Sequence, residues 1–151
     1  MNVLELAKIK RVTGPRALAR EILAIVEQEE HYDQSVWLSG RYFYDDEIVT
    51  GYELREILTR NVCGTTACVA GNVVILTLPA KGKYDYRRDV VNLPDGTTEY
   101  VQSYAQRQLK ITNEEADWLF HSDRSKSEVK DALTLLSKGK SISELVEATV
   151  W

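Results

Sequence analysis

The chain is poor in the residues that most often announce chemistry: two cysteines, Cys63 and Cys68, and two histidines, His31 and His121. Two cysteines are too few for a disulfide-stapled secreted scaffold. Placed on one helix, residues five apart rise about 7.5 Å and diverge by about 140°. Bridged cysteines need alpha carbons within about 7 Å, so no disulfide between them is expected. Structural zinc sites pair two cysteines with a matching pair of histidines. Here the histidines stand ninety residues apart, so neither a metal nor another cofactor is expected. There is no phosphate-cradling glycine loop, no Gly-x-Ser-x-Gly and no His-Glu-x-x-His, which removes support for the familiar nucleotide and hydrolase classes. An excess of positive charge is also missing. Nineteen basic residues face twenty-three acidic ones, for a net charge of −4. Bulk affinity for polyanions comes mainly from neutralised phosphates, so the whole chain is not a bulk polyanion binder. Glu5 interrupts Met1 to Lys8 where a signal peptide would need an unbroken apolar core, and no export signal is expected there.

What is present describes an ordinary folded chain. With 151 residues, 44% hydrophobic and 28% charged, a single globular domain over 1–151 is expected. The punctuation is mostly helical. Gly14-Pro15 opens a helix in which Leu18, Ile22 and Ile25 alternate with Ala19, Leu23 and Val26 on one broad apolar face. Thr50-Gly51-Tyr52-Glu53 has the spacing of a capping box, in which side chains and backbone amides satisfy one another. The same spacing recurs at Thr112–Glu115, Ser125–Glu128 and Ser141–Glu144, with Gly139 a natural stop between the last two helices. Pro94-Asp95-Gly96 marks a turn within an interruption from Lys81 to Glu99.

Residues 61–80 carry no charge, and twenty residues is the length that spans a bilayer. Asn61, Thr65, Thr66, Asn72 and Thr77, with two glycines and a proline, make the segment too polar and too broken, so no membrane association is expected. A buried central helix from about Gly64 to Leu78 is expected instead. Gly64, Ala67, Cys68 and Gly71 would form a stripe of small side chains on it, which is a packing device. Asn72 would either be tied to a neighbouring backbone or line a cavity.

Three segments hold candidate sites. Tyr32, Trp37, Tyr42, Phe43 and Tyr44 place five large rings in thirteen residues, followed by Asp45-Asp46-Glu47. The rings could roof the core. They could equally anchor a partner, since Tyr and Trp are enriched at interfaces, and Trp37, Tyr42, Phe43, Tyr44, Asp45 and Asp46 are then the binding candidates. Cys63, at or just before the expected helix start, could act as a thiolate nucleophile with His31 or His121 as base, because helix N-termini lower thiol pKa values. The competing view is that it is a small buried hydrophobe. Lys81, Lys83, Arg87 and Arg88 interleave with Tyr84 and Tyr86, a pattern that suits phosphate contact and base stacking. Asp85 and Asp89 cut the local charge, and an ordinary solvated loop is the preferred account.

The run Cys63-Gly64-Thr65-Thr66-Ala67-Cys68-Val69-Ala70-Gly71 resembles the Cys-Gly-Thr-x-Ala-Cys-x-Ala-Gly signature of small proteins from actinobacteria and their phages. Thr112-Asn113-Glu114-Glu115-Ala116-Asp117-Trp118-Leu119-Phe120 is similar to a helix that often follows that signature. A tryptophan or histidine often succeeds the final glycine in that group, whereas here it is Asn72. The resemblance implies a small cytoplasmic accessory protein, phage-encoded and acting on a host protein, and it carries no reaction. Together these observations predict a mainly α, single-domain helical bundle around a buried central helix, with one or two small β-hairpins at 32–50 and 84–100. The expected function is non-enzymatic protein binding to a host or phage protein, with a second copy of the chain as a further candidate partner. A Cys63 hydrolase or transferase and a nucleic-acid binder through Lys81–Arg88 are the alternatives.

Overall fold

In the computed structural model, residues 11–28, 38–39, 48–59, 66–85 and 88–148 are described. Helix α1 (Pro15–Gln28) starts at the Gly14-Pro15 step and buries Leu18, Ala19, Ile22, Ile25 and Val26, the face set by three- and four-residue spacing. Strand β1 (Leu38–Ser39) follows, then β2 (Ile48–Thr50), which runs directly into α2 (Gly51–Thr59). The Thr50–Glu53 capping box forms: the Glu53 N–H donates to Thr50 Oγ1 at 3.1 Å and the Thr50 N–H to Glu53 Oε1 at 3.4 Å. Gly51 is required here, because a Cβ would collide with the backbone carbonyls of Leu78 and Pro79.

Strand β3 (Thr66–Ala67) precedes the central helix α3 (Val69–Thr77), every residue of which is buried. Strands β4 (Lys83–Asp85), β5 (Val90–Asn92) and β6 (Thr98–Tyr100) lead into α4 (Val101–Leu109). Helices α5 (Asn113–Leu119), α6 (Lys126–Ser137) and α7 (Ser143–Ala148) complete the described chain. Helix α3 packs against α1, α2 and α4, and α1 lies along α6. The core is one cluster, into which Val49, Tyr84 and Val91 project from strands and Trp118, Leu133 and Ile142 from the C-terminal third.

The expectation of a mainly α bundle with one or two hairpins is corrected. Helix takes more than half of the described residues, but β2-β4-β5-β6 form a four-stranded antiparallel sheet, so the fold is mixed α/β. Ile48 pairs with Asp85 and Thr50 with Lys83, which ties the 48–50 segment to the 83–100 meander instead of to its own neighbours. Residues 38–39 likewise pair with 66–67. Each strand is two or three residues long, too short for alternation to display a sheet locally, and the pairing is set by tertiary contact.

A wholly buried helix without charges must still satisfy its last carbonyls. At α3 each has a donor. The Leu78 N–H bonds to Val74 O at 3.0 Å and the Val12 N–H to Leu76 O at 2.8 Å. Arg11 Nε donates to Thr77 O. Arg55 Nη1 donates to Ile75 O at 3.0 Å and to Leu78 O at 2.8 Å. Two cations thus stand at the negative end of the helix dipole. Burial pulls the Arg55 pKa below its ordinary value, and the charge of Arg11 pulls the same way. The Thr77 hydroxyl donates to Val73 O at 2.6 Å and lies 2.8 Å from the Tyr104 hydroxyl. Burial raises the pKa of that phenol, opposed by its bond to Thr77.

The Thr112–Glu115 and Ser125–Glu128 capping boxes both form. The fourth does not: α7 begins at Ser143, whose N–H is accepted by Ser141 Oγ at 3.1 Å, and the Ser141 hydroxyl donates to Glu115 Oε2 at 3.3 Å.

Candidate functional site

The N-terminus of α3 is built by Cys68, not Cys63. Cys68 is the N-cap, 1% exposed, and its sulfur accepts the Gly71 N–H at 3.4 Å. Asn72, one turn on, donates through Nδ2 to Cys68 O at 2.9 Å, so its side chain is tied to backbone. The expected helix from Gly64 is shortened because Thr66–Ala67 is extended and paired with Leu38–Ser39. The small-residue stripe beginning at Gly64 therefore does not run along a helix. Cys63 precedes the true N-cap by five residues and lies outside the described residues, as does His31. His121 is engaged locally, its Nδ1 accepting the Asp123 N–H at 3.1 Å. The start of α3 is therefore not where Cys63 stands, and the nucleophile reading falls on residues outside those described.

The basic segment divides by strand parity. Lys81 and Lys83 are exposed, whereas Tyr84 between β2 and β5 is fully buried and donates its hydroxyl to Asp89 Oδ1 at 3.2 Å. A ring inside the core offers no platform for a base. Arg88 is exposed over 81% of its side chain, its Nε 3.9 Å from Asp85 Oδ2. Its backbone N–H donates to the other oxygen of Asp85 at 3.3 Å. Asp89 sits in the left-handed region at φ 53, which closes the turn from β4 to β5. Tyr86 and Arg87 lie outside the described residues.

The sheet has two different faces. Residues opposed across antiparallel strands share a face, and neighbours along a strand alternate. Val49, Tyr84 and Val91 form the row that enters the core. The flanking row reads Ile48, Asp85, Val90, Tyr100 across β2, β4, β5 and β6. Ile48 is 53% and Tyr100 71% exposed; with Tyr52, at the start of α2, they are the exposed large hydrophobic residues among those described. Three strand spacings separate Ile48 from Tyr100, about 14 Å. The second outward row, Thr50, Lys83, Asn92 and Thr98, is polar, with Thr98 Oγ1 donating to Asn92 Oδ1 at 2.7 Å.

The proposed anchors Trp37, Tyr42, Phe43, Tyr44, Asp45 and Asp46 lie outside the described residues. The last five precede Ile48 by two to six positions. Sequence reasoning missed Ile48 and Tyr100 as exposed ends of one row. The signal available for them was the parity imposed by buried Tyr84 and Val91. Among the described residues, no group of three or more His, Cys, Asp and Glu is placed to hold a metal ion, and no helix is long and apolar enough to cross a membrane. Comparisons of the chain with protein-family models, with curated proteins and with solved structures gave no match.

Proposed function

We propose that this is a small, non-enzymatic cytoplasmic binding protein that docks a protein partner on the outer face of its sheet. The observation that carries the reading is the single row in which Ile48 and Tyr100 present apolar surface at its two ends, with Asp85 and the buried Val90 between them. Exposed aromatic and aliphatic side chains around a polar group, rimmed by Thr50, Lys83 and Thr98, match the composition of interface centres and rims. The resemblance to actinobacterial and phage proteins supports a phage product acting on a host protein. A nucleic-acid partner is less favoured, because Tyr84 is withdrawn into the core and Asp85 sits beside Arg88.

The test is a tagged pull-down from bacterial lysate after nuclease treatment, run with the native chain and with Ile48→Glu and Tyr100→Glu. Both side chains are exposed, so the variants keep the native melting temperature. The expected result is one stoichiometric protein held by the native chain and lost by both variants. Equal capture by native and variant chains, or recovery that disappears with nuclease, contradicts the reading.

A further inference from the structure

We propose that a cleft between the start of α1, the end of α4 and the α6–α7 turn binds a small amphipathic anion, a carboxylate or phosphate monoester on an apolar body. Arg16, Lys110 and Lys140 hold its charged head. The cleft has a volume of about 380 Å³, within the range of small-molecule sites. Leu109, Ile111 and Leu136, all buried, supply an apolar floor. Three cations and one carboxylate line it, in a chain whose net charge is −4, so the local sign is inverted.

Among the described residues, no carboxylate pairs with these cations. Arg107 and Arg124, by contrast, have carboxylate partners at 2.6 and 3.1 Å. The one acid of the lining, Glu115, is already engaged by neutral donors. Its Oε1 accepts the Thr112 N–H at 2.8 Å, and its Oε2 accepts the Ile142 N–H and the Ser141 hydroxyl, each at 3.3 Å.

Two helix ends face the cleft with the same turn and different residues. At the end of α6, Gly139 takes φ 74, its N–H bonding to Leu136 O and that of Lys140 to Leu135 O. At the end of α4 the left-handed position, φ 55, is filled by Lys110. A lysine there costs about 1 kcal/mol relative to the glycine that the turn prefers, so the position keeps a cation at the expense of local stability. Gly139 serves the site differently: a Cβ would collide with the Arg16 guanidinium, which lies across it.

The ligand is small because the cleft ends in acid. Beyond Glu115 and Ser141 a second cavity of about 210 Å³ is lined by Glu114 and Glu147. A nucleic-acid strand or other long polyanion leaving the cationic cleft on that side would meet these carboxylates.

The test is amide NMR titration of the full chain with octanoate, phenyl phosphate and inorganic phosphate. The expected result is saturable shifts at Lys110, Ile111, Gly139 and Lys140, weakened by salt, with half-saturation below about 1 mM for an amphipathic probe and weaker for inorganic phosphate. Octanoate against phenyl phosphate tells which head group the cations prefer. Lys110→Gly relieves the left-handed strain, so it keeps or raises the melting temperature while weakening binding at least about fivefold; Lys110→Arg retains binding. Absence of saturable shifts with all three probes overturns the proposal. Undiminished affinity in Lys110→Gly, or inorganic phosphate binding as tightly as phenyl phosphate, overturns it as well. These variants leave Ile48 and Tyr100 untouched, so the outcome is separate from that of protein docking.

Discussion

Replacing Arg55 by methionine tests how the charge-free helix α3 is tolerated in the core. Methionine keeps the length and apolar stem of the side chain and removes the guanidinium. Two buried carbonyls, Ile75 O and Leu78 O, then lose donors at 3.0 and 2.8 Å. An orphaned buried acceptor costs about 1–3 kcal/mol, so the pair costs about 2–6 kcal/mol. Part is returned, because a cation whose pKa is lowered by burial no longer has to be desolvated. The net expectation is a loss of about 2–4 kcal/mol. At about 2–4 °C per kcal/mol for a chain of this size, the melting temperature falls by roughly 5–15 °C. Urea unfolding followed by circular dichroism gives the free energy, and calorimetry the temperature. Arg107→Met is the control: Arg107 pairs with Glu99 at 2.6 Å but is about half exposed, and an exposed pair is worth about 0–1 kcal/mol. Arg55→Met within about 0.5 kcal/mol of the native chain would refute the reasoning, since water or repacking would then satisfy the helix end equally well.

Other perturbations follow from the same structure. Leu76→Ala, deep in α3, opens a cavity and costs about 2–5 kcal/mol by urea unfolding. Gly51→Ala forces a methyl group against the carbonyls of Leu78 and Pro79, lowering stability by about 1–3 kcal/mol, whereas Gly96→Ala meets open space and suffers only from its φ of 92. The Ser125 backbone N–H, and then Arg124, hold the Glu128 carboxyl below its ordinary value. A lowered carboxylate stabilises fully above its unfolded-state pKa and loses that contribution as pH falls through the lowered value. Glu128→Gln therefore flattens the acid limb of the stability curve below about pH 5, and an unchanged limb would count against the capping box as a source of stability.

The legible parts of this fold are those decided within one helical turn. Pro15 and the spacing of Leu18, Ile22 and Ile25 mark α1, and two boxes, Thr112–Glu115 and Ser125–Glu128, mark α5 and α6 as they form. Ser141–Glu144 has the same pattern and fails: Ser141 Oγ accepts the Ser143 N–H in place of that of Glu144, while its hydroxyl donates to Glu115, twenty-six residues away. The sheet was illegible for the same kind of reason. Val49 finds Tyr84 across thirty-five residues, and three-residue strands carry no periodic signal. A buried helix was expected over Gly64–Leu78, yet its start was misplaced: small residues at helical spacing are compatible with α3, but the pairing of Thr66–Ala67 with Leu38–Ser39 decides where it begins. Tyr84 was readable as a ring among cations and not as a core residue, since its parity is fixed by partners on both sides. Arg16, Lys110 and Lys140 belong to no motif and meet only because α1 lies along α6 beside the end of α4.

The most direct test of the docking account is site-specific photocrosslinking. A photoreactive phenylalanine analogue replaces Tyr100 in one chain and Asp131, exposed on α6, in another. The account predicts that position 100 links to a single protein in bacterial cells, in a band abolished by Ile48→Glu on the same row, while position 131 gives none. Equal crosslinking from both positions, or a Tyr100 band that survives Ile48→Glu, would contradict it.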